Sequence, residues 1–271
     1  MIIVQQVSKS YHQSRFFKKR QSVVRAVDNV SLKIKEGSTF TLLGQSGSGK
    51  STLGKILLGI EKPDNGEVLF DGMNVHNATG KKRKKLQQSM QVVFQDCHSA
   101  VNPKMKIKDI IAEPMLVNGK LVPRKIEERV GELLEMVGLS KDDMVKYPHQ
   151  FSGGQLQRIT IARAISTRPR LIVLDESVNS LDVLVQISIL KLLRRLQQEL
   201  KLTYFFITHD LHAARLFSDE IAIMQKGRIV EHLLVGELEH AKHEATKALL
   251  NSRLTIDCIH NYLEHNEEQV V

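Results

Sequence analysis

The sequence lacks a long apolar run. No stretch of its 271 residues reaches the roughly 18 apolar residues that a membrane-spanning helix needs. The first residues, MIIVQQVSKSYHQ, also lack the basic segment and apolar core of a secretory signal. We therefore expect a chain that is made and kept in the cytoplasm, whose 42% of hydrophobic residues can form one sizeable core.

Cysteine is also scarce. Cys97 and Cys258 are the two cysteines, and they form neither a CxxC metal spacing nor a disulfide framework. Two free thiols in a reducing compartment are the expected state. Internal repeats and low-complexity segments are absent as well, which favours an ordinary globular domain.

Positive charge exceeds negative charge, giving a formal net charge of +9. Nucleic acid, an anionic membrane surface and nucleotide phosphates are all compatible with this value. Two clusters carry much of the excess: Arg15, Lys18, Lys19 and Arg20, then Lys81, Lys82, Arg83, Lys84 and Lys85. Neither cluster has the interleaved aromatic residues that stack on bases, so we favour a solvated loop and the exposed first turns of a helix over nucleic-acid binding. Docking near anionic lipid headgroups is the intermediate alternative.

Hydrophobic patterning divides the chain into regions. Short β-rich runs fill the first third, helical stripes fill residues 95–165, and strands then alternate with helices predicted at Val183–Leu200 and Leu211–Phe217. The near-continuous apolar runs LIVL and YFFI predict a sheet covered on both faces. We therefore expect one α/β domain over residues 1–250 with a helical subdomain at about 95–165, followed by a polar tail, 251–271.

A glycine-rich segment, GQSGSGKST, lies between a predicted strand and a predicted helix. It matches GxxxxGK[ST], in which backbone N–H groups and a helix N-terminus face the phosphates of a nucleotide. Lys50 would bridge the β- and γ-phosphates, and Ser51 would offer its hydroxyl to Mg²⁺. The predicted ATP-binding residues of this segment are Gly44, Gln45, Ser46, Gly47, Ser48, Gly49, Lys50, Ser51 and Thr52.

Two acids end the apolar run LIVLDE. Asp175 would hold Mg²⁺, and Glu176 would orient and polarise the attacking water, because phosphoryl transfer needs mainly positioning and charge compensation. His209 ends the next predicted strand, FFITHD, where an imidazole could contact the γ-phosphate. A histidine at a strand end is more often structural, but its place after DE and SLD favours the functional role.

The segment FSGGQLQR, taken with the order of these motifs, resembles the ATP-binding-cassette (ABC) ATPases over nearly the whole chain. The resemblance implies a RecA-like phosphate-loop core with an antiparallel β subdomain and a helical subdomain. It also implies that the signature segment acts on ATP held by the opposite subunit, through Ser152, Gly153, Gly154 and Gln155.

Further residue roles follow from the same resemblance. Tyr11 corresponds to the aromatic residue that stacks on adenine, although a packed strand tyrosine is the alternative. Gln95 corresponds to the glutamine that contacts Mg²⁺ and water, Asp182 to the loop aspartate that communicates across the dimer, and His209 to the switch histidine.

Within that family the chain is most similar to the peptide and nickel uptake branch. The stretch from Gln95 resembles its FQD…NP…EP pattern, and ATKALL is similar to its C-terminal segment. DESVNSLDVLVQ is similar to the form in the second ATPase of nickel importers, so the resemblance is closest to that subunit of nickel or metal–opine metallophore (staphylopine-like) importers. The chain departs from the usual residues at Phe151, commonly leucine, and at Cys97, commonly proline. With only Cys258 near the C-terminus, we expect no iron–sulfur cluster.

The resemblance implies a peripheral ATPase subunit on the cytoplasmic face of the membrane, using Mg²⁺ and ATP. Its expected partners are a sister ATPase, two permeases and, through them, an extracytoplasmic binding protein. The expected cargo is nickel, cobalt or zinc, or a metal–metallophore (opine) complex, with oligopeptide or dipeptide as the alternative. Three competing functions are an ABC-type machine acting on nucleic acid or ribosomes, a small-molecule kinase and an exporter ATPase.

Overall fold

The computed structural model describes residues 1–13, 22–117, 123–178 and 181–251. Its strands are β1 (Ile2–Gln13), β2 (Ser22–Ile34), β3 (Thr39–Leu43), β4 (Asn65–Phe70), β5 (Met73–Asn74), β6 (Met90–Val93), β7 (Leu171–Asp175), β8 (Thr203–Thr208), β9 (Glu220–Gln225) and β10 (Arg228–Leu234). Its α-helices are α1 (Lys50–Leu57), α2 (Gly80–Ser89), α3 (Ile107–Val117), α4 (Pro123–Met136), α5 (Gly153–Ile165), α6 (Val183–Leu200), α7 (Leu211–Phe217) and α8 (Glu244–Asn251). Short 3-10 helices span Lys141–Val145, Pro148–Gln150 and Val235–His240.

The strands form two sheets. A four-stranded antiparallel sheet has the order β2-β1-β4-β5, and a six-stranded sheet has the order β10-β9-β3-β8-β7-β6. In the larger sheet, β9, β3, β8, β7 and β6 run parallel, and β10 pairs antiparallel at the edge. This confirms the predicted α/β class and the antiparallel β subdomain.

The larger sheet is covered on both faces, as its apolar strands predict. Along β8, Tyr204 and Phe206 pack into one buried cluster, whereas Phe205 and Ile207 pack into the other. This alternation follows from the two-residue period of a strand. One cluster joins the sheet to α5, α6 and the helical segment, and the second joins it to α1 and the smaller sheet.

The helical segment is built mainly on one cluster of buried side chains. Ile110 and Ile111 of α3, Leu133 and Leu134 of α4, and Leu156 of α5 all belong to it. The first helix of this segment begins twelve residues after the predicted start of the subdomain at residue 95. The chain over residues 95–106 forms turns and carries no helix. Among the described residues, no helix combines the length and apolar character required to cross a bilayer.

The basic run 81–85 lies in the first half of α2, where each of the five side chains is exposed. Leu86 is the buried residue of this helix and attaches it to the core. The first basic cluster, Arg15, Lys18, Lys19 and Arg20, lies outside the described residues, as does Cys258. Strand β6, which directly follows α2, has no separate signal in the sequence because it is only four residues long.

Removing a ring from the centre of the larger sheet tests this packing. Phe206 is fully buried and lies edge to face against Phe217, with ring centroids 5.6 Å apart. We expect Phe206→Ala to lower the free energy of unfolding by about 3–5 kcal/mol, measured by denaturant titration. Phe94→Ala is the matched control, since Phe94 is 43% exposed, and should cost under about 0.5 kcal/mol. Equal losses would contradict the assignment of the core.

Candidate nucleotide site

Four polar loops leave the same edge of the larger sheet. Strands β3, β8, β7 and β6 are neighbours and run parallel, so their carboxyl ends coincide. The glycine-rich loop follows β3, His209 follows β8, Glu176 follows β7 and Gln95 lies just after β6. Ligands of open α/β sheets bind outside the carboxyl ends of the strands. The sheet thus brings together four segments that are widely separated in the sequence.

The glycine-rich loop, residues 44–49, lies in close contact with backbone carbonyl groups on two sides. A Cβ atom at Gly44 would clash with the carbonyl oxygen of Met224, and one at Gly49 would clash with that of Ala26. Gly49 also has a φ of 107°, which side chains rarely adopt. Glycine is therefore required at both positions, since β2 and β9 approach the loop too closely for any side chain.

Lys50 is buried inside its own loop. It is 4% exposed, and its Nζ donates to the carbonyl oxygens of Gly44 at 2.8 Å and Gln45 at 3.0 Å. Burial lowers the pKa of Lys50, and the carboxylates of Glu176 and Asp175 oppose that shift. Helix α1 begins at Lys50 with no acidic residue in its first turn. The positive end of the helix and the ammonium group thus form an anion site.

Ser51 and Asp175 form a pair of oxygen ligands beside the loop. The Ser51 hydroxyl donates to Asp175 Oδ1 at 3.0 Å. Burial raises the pKa of Asp175, and the hydrogen bond from Ser51 opposes this shift. No cluster of three or more His, Cys, Asp or Glu side chains that could hold a metal occurs in the described ranges. A hydroxyl and a carboxylate next to a phosphate site nevertheless suit Mg²⁺, which binds one or two protein oxygens plus phosphate oxygens.

Glu176 bridges the lysine and the histidine. Its Oε1 lies 3.7 Å from Lys50 Nζ, and its Oε2 lies 3.4 Å from His209 Nδ1. Its backbone has a φ of 50°, and its N–H donates to Ile207 O at 2.9 Å, which fixes the end of β7 against β8. Strained non-glycine conformations of this kind cluster at functional sites. The imidazole of His209 is about half exposed, so it faces both the carboxylate and solvent.

Tyr11 lies beside the start of α1. Its side chain lies close to those of Glu61 and Thr52, and the residue is 38% exposed. Burial raises the pKa of Tyr11, with a further contribution from the Glu61 carboxylate. Tyr11 is therefore not packed into the core of the strand pair, and Lys9 Nζ lies over its ring at 5.9 Å from the centroid.

The remaining two predicted loop residues lie on the surface. Gln95 is exposed two positions after the end of β6. Asp182 is exposed at the N-cap of α6, where its carboxylate accepts from the Val185 N–H at 3.0 Å. Their predicted roles, with Mg²⁺ and with a partner subunit, remain predictions.

The signature segment, residues 152–155, begins α5. Ser152 caps the helix: its Oγ accepts from Gln155 N–H at 3.3 Å, and its own N–H donates to Gln155 Oε1 at 3.0 Å. The Gly153 carbonyl accepts from the Cys97 thiol at 3.8 Å. A Cβ at Gly154 would lie 2.6 Å from Val185 Cγ1 of α6. These contacts attach the signature segment to α6 and Cys97, whereas the glycine-rich loop is attached to β2 and β9.

Sequence reasoning missed one pair at the site. Gln186 of α6 donates from Nε2 to Asp210 Oδ2 at 3.0 Å, and Asp210 directly follows His209. Asp210 also caps α7, accepting from His212 N–H at 2.8 Å. An Asp before a helix is a readable capping signal, so this half of the pair could have been found. Gln186 could not, since nothing local ties it to a residue 24 positions away.

Comparison with known proteins agrees with this geometry. A family model described as ABC transporter matches residues 27–179. The oligopeptide transport ATP-binding protein OppF of Streptococcus mutans is 43% identical over 88% of this chain and 78% of its own length. The dipeptide transport ATP-binding protein DppF of Lactococcus lactis is 44% identical over 88% of this chain and 77% of its own.

A solved structure is similar too. The ATP-binding cassette MJ0796, in a dimeric post-hydrolysis state with ADP and Pi, has a TM-score of 0.75 and 29% identity over 87% of this chain and 99% of its own. The chain belongs to the ABC transporter family of ATP-binding proteins. It is therefore an ATPase with the ABC fold that its motifs predicted, and the small-molecule kinase hypothesis has no support.

Replacing the buried carboxylate tests the electrostatics of the site. Because burial raises the pKa of Asp175, its ionised form opposes folding at neutral pH, and this penalty falls as pH drops through the raised pKa. We expect Asp175→Asn to raise the melting temperature at neutral pH by about 2–4 °C for each 1 kcal/mol of penalty removed. The gain should shrink toward acidic pH. Thermal unfolding across pH measures it.

The control for this prediction is Asp142→Asn, because Asp142 is exposed in a 3-10 turn far from the site. Its melting temperature should change little at any pH. An Asp175→Asn variant that is less stable than the wild type at neutral pH would contradict the burial argument.

Proposed function

We propose that this protein is the ATP-hydrolysing subunit of an ABC importer for oligopeptides or dipeptides. The observation that carries the ATPase part is the Glu176 carboxylate, held between Lys50 and His209 at the phosphate loop. The peptide part is supported by the relatives OppF and DppF, which are named for oligopeptide and dipeptide transport.

ATP binding falls to the glycine-rich loop and Tyr11. The N–H groups of residues 44–52 and the positive end of α1 receive the phosphates. Lys50 exchanges its two carbonyl acceptors for phosphate oxygens, which needs only a movement of its flexible side chain. Tyr11 stacks its exposed ring on adenine, beside Thr52.

Hydrolysis falls to Glu176 and His209. Glu176 Oε2 accepts a proton from, or orients, the attacking water, while the buried Lys50 balances developing negative charge. His209 Nδ1 lies 3.4 Å from the same carboxylate and holds it toward the γ-phosphate. Ser51, Asp175 and Gln95 would hold Mg²⁺, which when bound neutralises phosphate charge.

The signature segment acts on the ATP of a second ATPase subunit. Its serine hydroxyl and glycine amides at the start of α5 form an anion site that is anchored to α6 rather than to the chain's own phosphate loop. The dimeric relative with ADP and Pi supports a two-subunit arrangement. Asp182, exposed at the start of α6, is placed to communicate between the subunits, one of which we infer to be a sister ATPase.

A groove beside the sheet is suited to the permease. It has a volume of about 790 Å³ and is lined by α2, α3, β6 and α5, including Gln91, Pro114 and Val117. Val117 is 74% exposed, and Phe94 nearby is 43% exposed. The groove also carries the charged side chains of Arg83, Lys84, Glu113 and Arg163, so its mixed lining suits a membrane-subunit helix with both apolar and polar faces. The protein then lies peripherally at the cytoplasmic face, with a binding protein supplying cargo to two permeases.

The similar proteins change the expected cargo from metal to peptide. Sequence motifs favoured nickel, cobalt, zinc or a metal–metallophore complex, and the relatives OppF and DppF give that cargo no support. Their names favour the alternative, peptide, which we adopt. The ATP site itself contains no cargo determinant, since selection belongs to the permeases and the binding protein.

Glu176→Gln tests the hydrolytic role and the cargo together. The variant keeps the size of the side chain but cannot act as a base, so ATP hydrolysis by the assembled transporter should fall at least about 100-fold. ATP should remain bound, because Lys50 and the glycine-rich loop are unchanged. In a deletion strain, the wild-type gene should restore uptake of a labelled di- or oligopeptide, and Glu176→Gln should not.

Glu199→Gln is the matched control, since Glu199 is exposed on α6, and it should leave uptake unchanged. Nickel uptake measured in the same strains gives the competing cargo its own test. Restoration of nickel uptake without peptide uptake would reject the peptide assignment, and wild-type turnover by Glu176→Gln would reject the catalytic role.

Ser152→Arg tests action on the partner's nucleotide. The isolated chain should bind ATP within about twofold of wild type, because the signature segment is anchored away from its own phosphate loop. The assembled transporter should lose at least about tenfold in hydrolysis, since an oxyanion-type donor is replaced by a bulky cation.

Ser140→Arg is the matched control, because Ser140 also caps a helical turn and is exposed. It loses a cap but no nucleotide contact, so turnover should stay near wild type. Loss of ATP binding by a folded, isolated Ser152→Arg chain would rule out the role in trans.

A further inference from the structure

The first turn of α6, residues 182–186, contains one residue that the proposed function uses and touches two further segments of it. Asp182 begins it, Val185 packs under the signature segment at Gly154, and Gln186 binds Asp210 next to His209. Val185 and Gln186 follow Asp182 by three and four residues, so all three lie on one side of the helix. The signature segment and the histidine loop are therefore both attached to the same short piece of helix.

Asp210 uses both carboxylate oxygens. Its Oδ1 accepts from the His212 N–H at 2.8 Å, and its Oδ2 accepts from Gln186 Nε2 at 3.0 Å. Its own N–H donates to Thr208 Oγ1 at 3.0 Å. The backbone on the carboxyl side of His209 is thus fixed by α7, by β8 and, through one side chain, by α6.

We propose that Gln186 is a positioning residue that couples His209 to the signature segment through the first turn of α6. The proposal rests on the function proposed above, in which His209 and Glu176 act on the chain's own ATP. Gln186 touches neither nucleotide nor water in this role. It acts by holding Asp210, and with it the imidazole that lies 3.4 Å from Glu176.

The contact at Gly154 makes this coupling mechanical. A Cβ there would lie 2.6 Å from Val185 Cγ1, so the α5 backbone and the Val185 side chain are already in full contact. Close-packed interiors deform little and transmit displacement. When the signature segment engages the partner's nucleotide, a shift of α5 moves the first turn of α6. Gln186 carries that movement to Asp210 and to His209.

A purely structural hydrogen bond would look the same in the folded chain, so the experiment must separate the two roles. Gln186→Glu places a second carboxylate against Asp210 Oδ2 and removes the donor. Asp210→Asn leaves one acceptor oxygen on a side chain that accepts two hydrogen bonds, from His212 N–H and from Gln186 Nε2. Together, the two changes restore the pair with reversed polarity. The amide introduced at position 210 can donate to the carboxylate introduced at position 186, while the amide oxygen still accepts from His212 N–H.

Steady-state hydrolysis by the assembled transporter measures the effect. We expect about tenfold lower kcat for Gln186→Glu and for Asp210→Asn, with the KM for ATP within about twofold of wild type, because the phosphate loop is untouched. The double variant should recover to within about threefold of wild-type kcat, which is the coupling a double-mutant cycle detects. Gln198→Glu, exposed on the same helix, is the charge-matched control and should behave as wild type.

Thermal unfolding of each variant accompanies the kinetics. If Gln186→Glu folds poorly, Gln186→Met removes the donor without adding charge and carries the same expectation for kcat. Wild-type kcat in the folded single variants, or a double variant as slow as the product of the two single effects, would overturn the proposal. An active Glu176→Gln would instead overturn the proposed function. An inactive Glu176→Gln with normal Gln186 variants would overturn the positioning role alone.

Discussion

Parallel pairing of β3, β8, β7 and β6 is the constraint on which the rest of the molecule depends. Because these strands point the same way, the residues that follow them meet at one edge of the sheet. Two buried clusters keep the strands in register by alternating their side chains between the two faces. A slip of one residue would turn the apolar side chains of β8 to the wrong clusters and separate His209 from Glu176.

Burial and charge conflict at that edge. Lys50 is buried and Asp175 is partly buried, and burial lowers the pKa of the ammonium group and raises the pKa of the carboxyl group. Such groups lower stability, and the surrounding fold has to compensate. The strained Glu176 and the carbonyl groups that hold Lys50 lie at this same edge, as expected of residues placed for function rather than for stability.

Much of this arrangement could be predicted from sequence, because the informative signals are local. Helices α6 and α7 have the predicted bounds, and the acids and the histidine end the strands where the apolar runs stop. Contacts between distant segments could not be predicted. The carbonyls of Ala26 and Met224 that clasp the loop are backbone groups, which any residue type supplies. The thiol of Cys97 reaches Gly153 across 56 positions, and Gln186 finds Asp210 only because α6 and α7 are neighbours in space.

Lys50 ties the glycine-rich loop to itself. The carbonyl oxygens of Gly44 and Gln45 accept from its ammonium group, so the side chain and the loop backbone hold each other in place. A substitution of Lys50 therefore removes two internal hydrogen bonds of the loop together with a positive charge, so its effects on folding and on anion binding are linked.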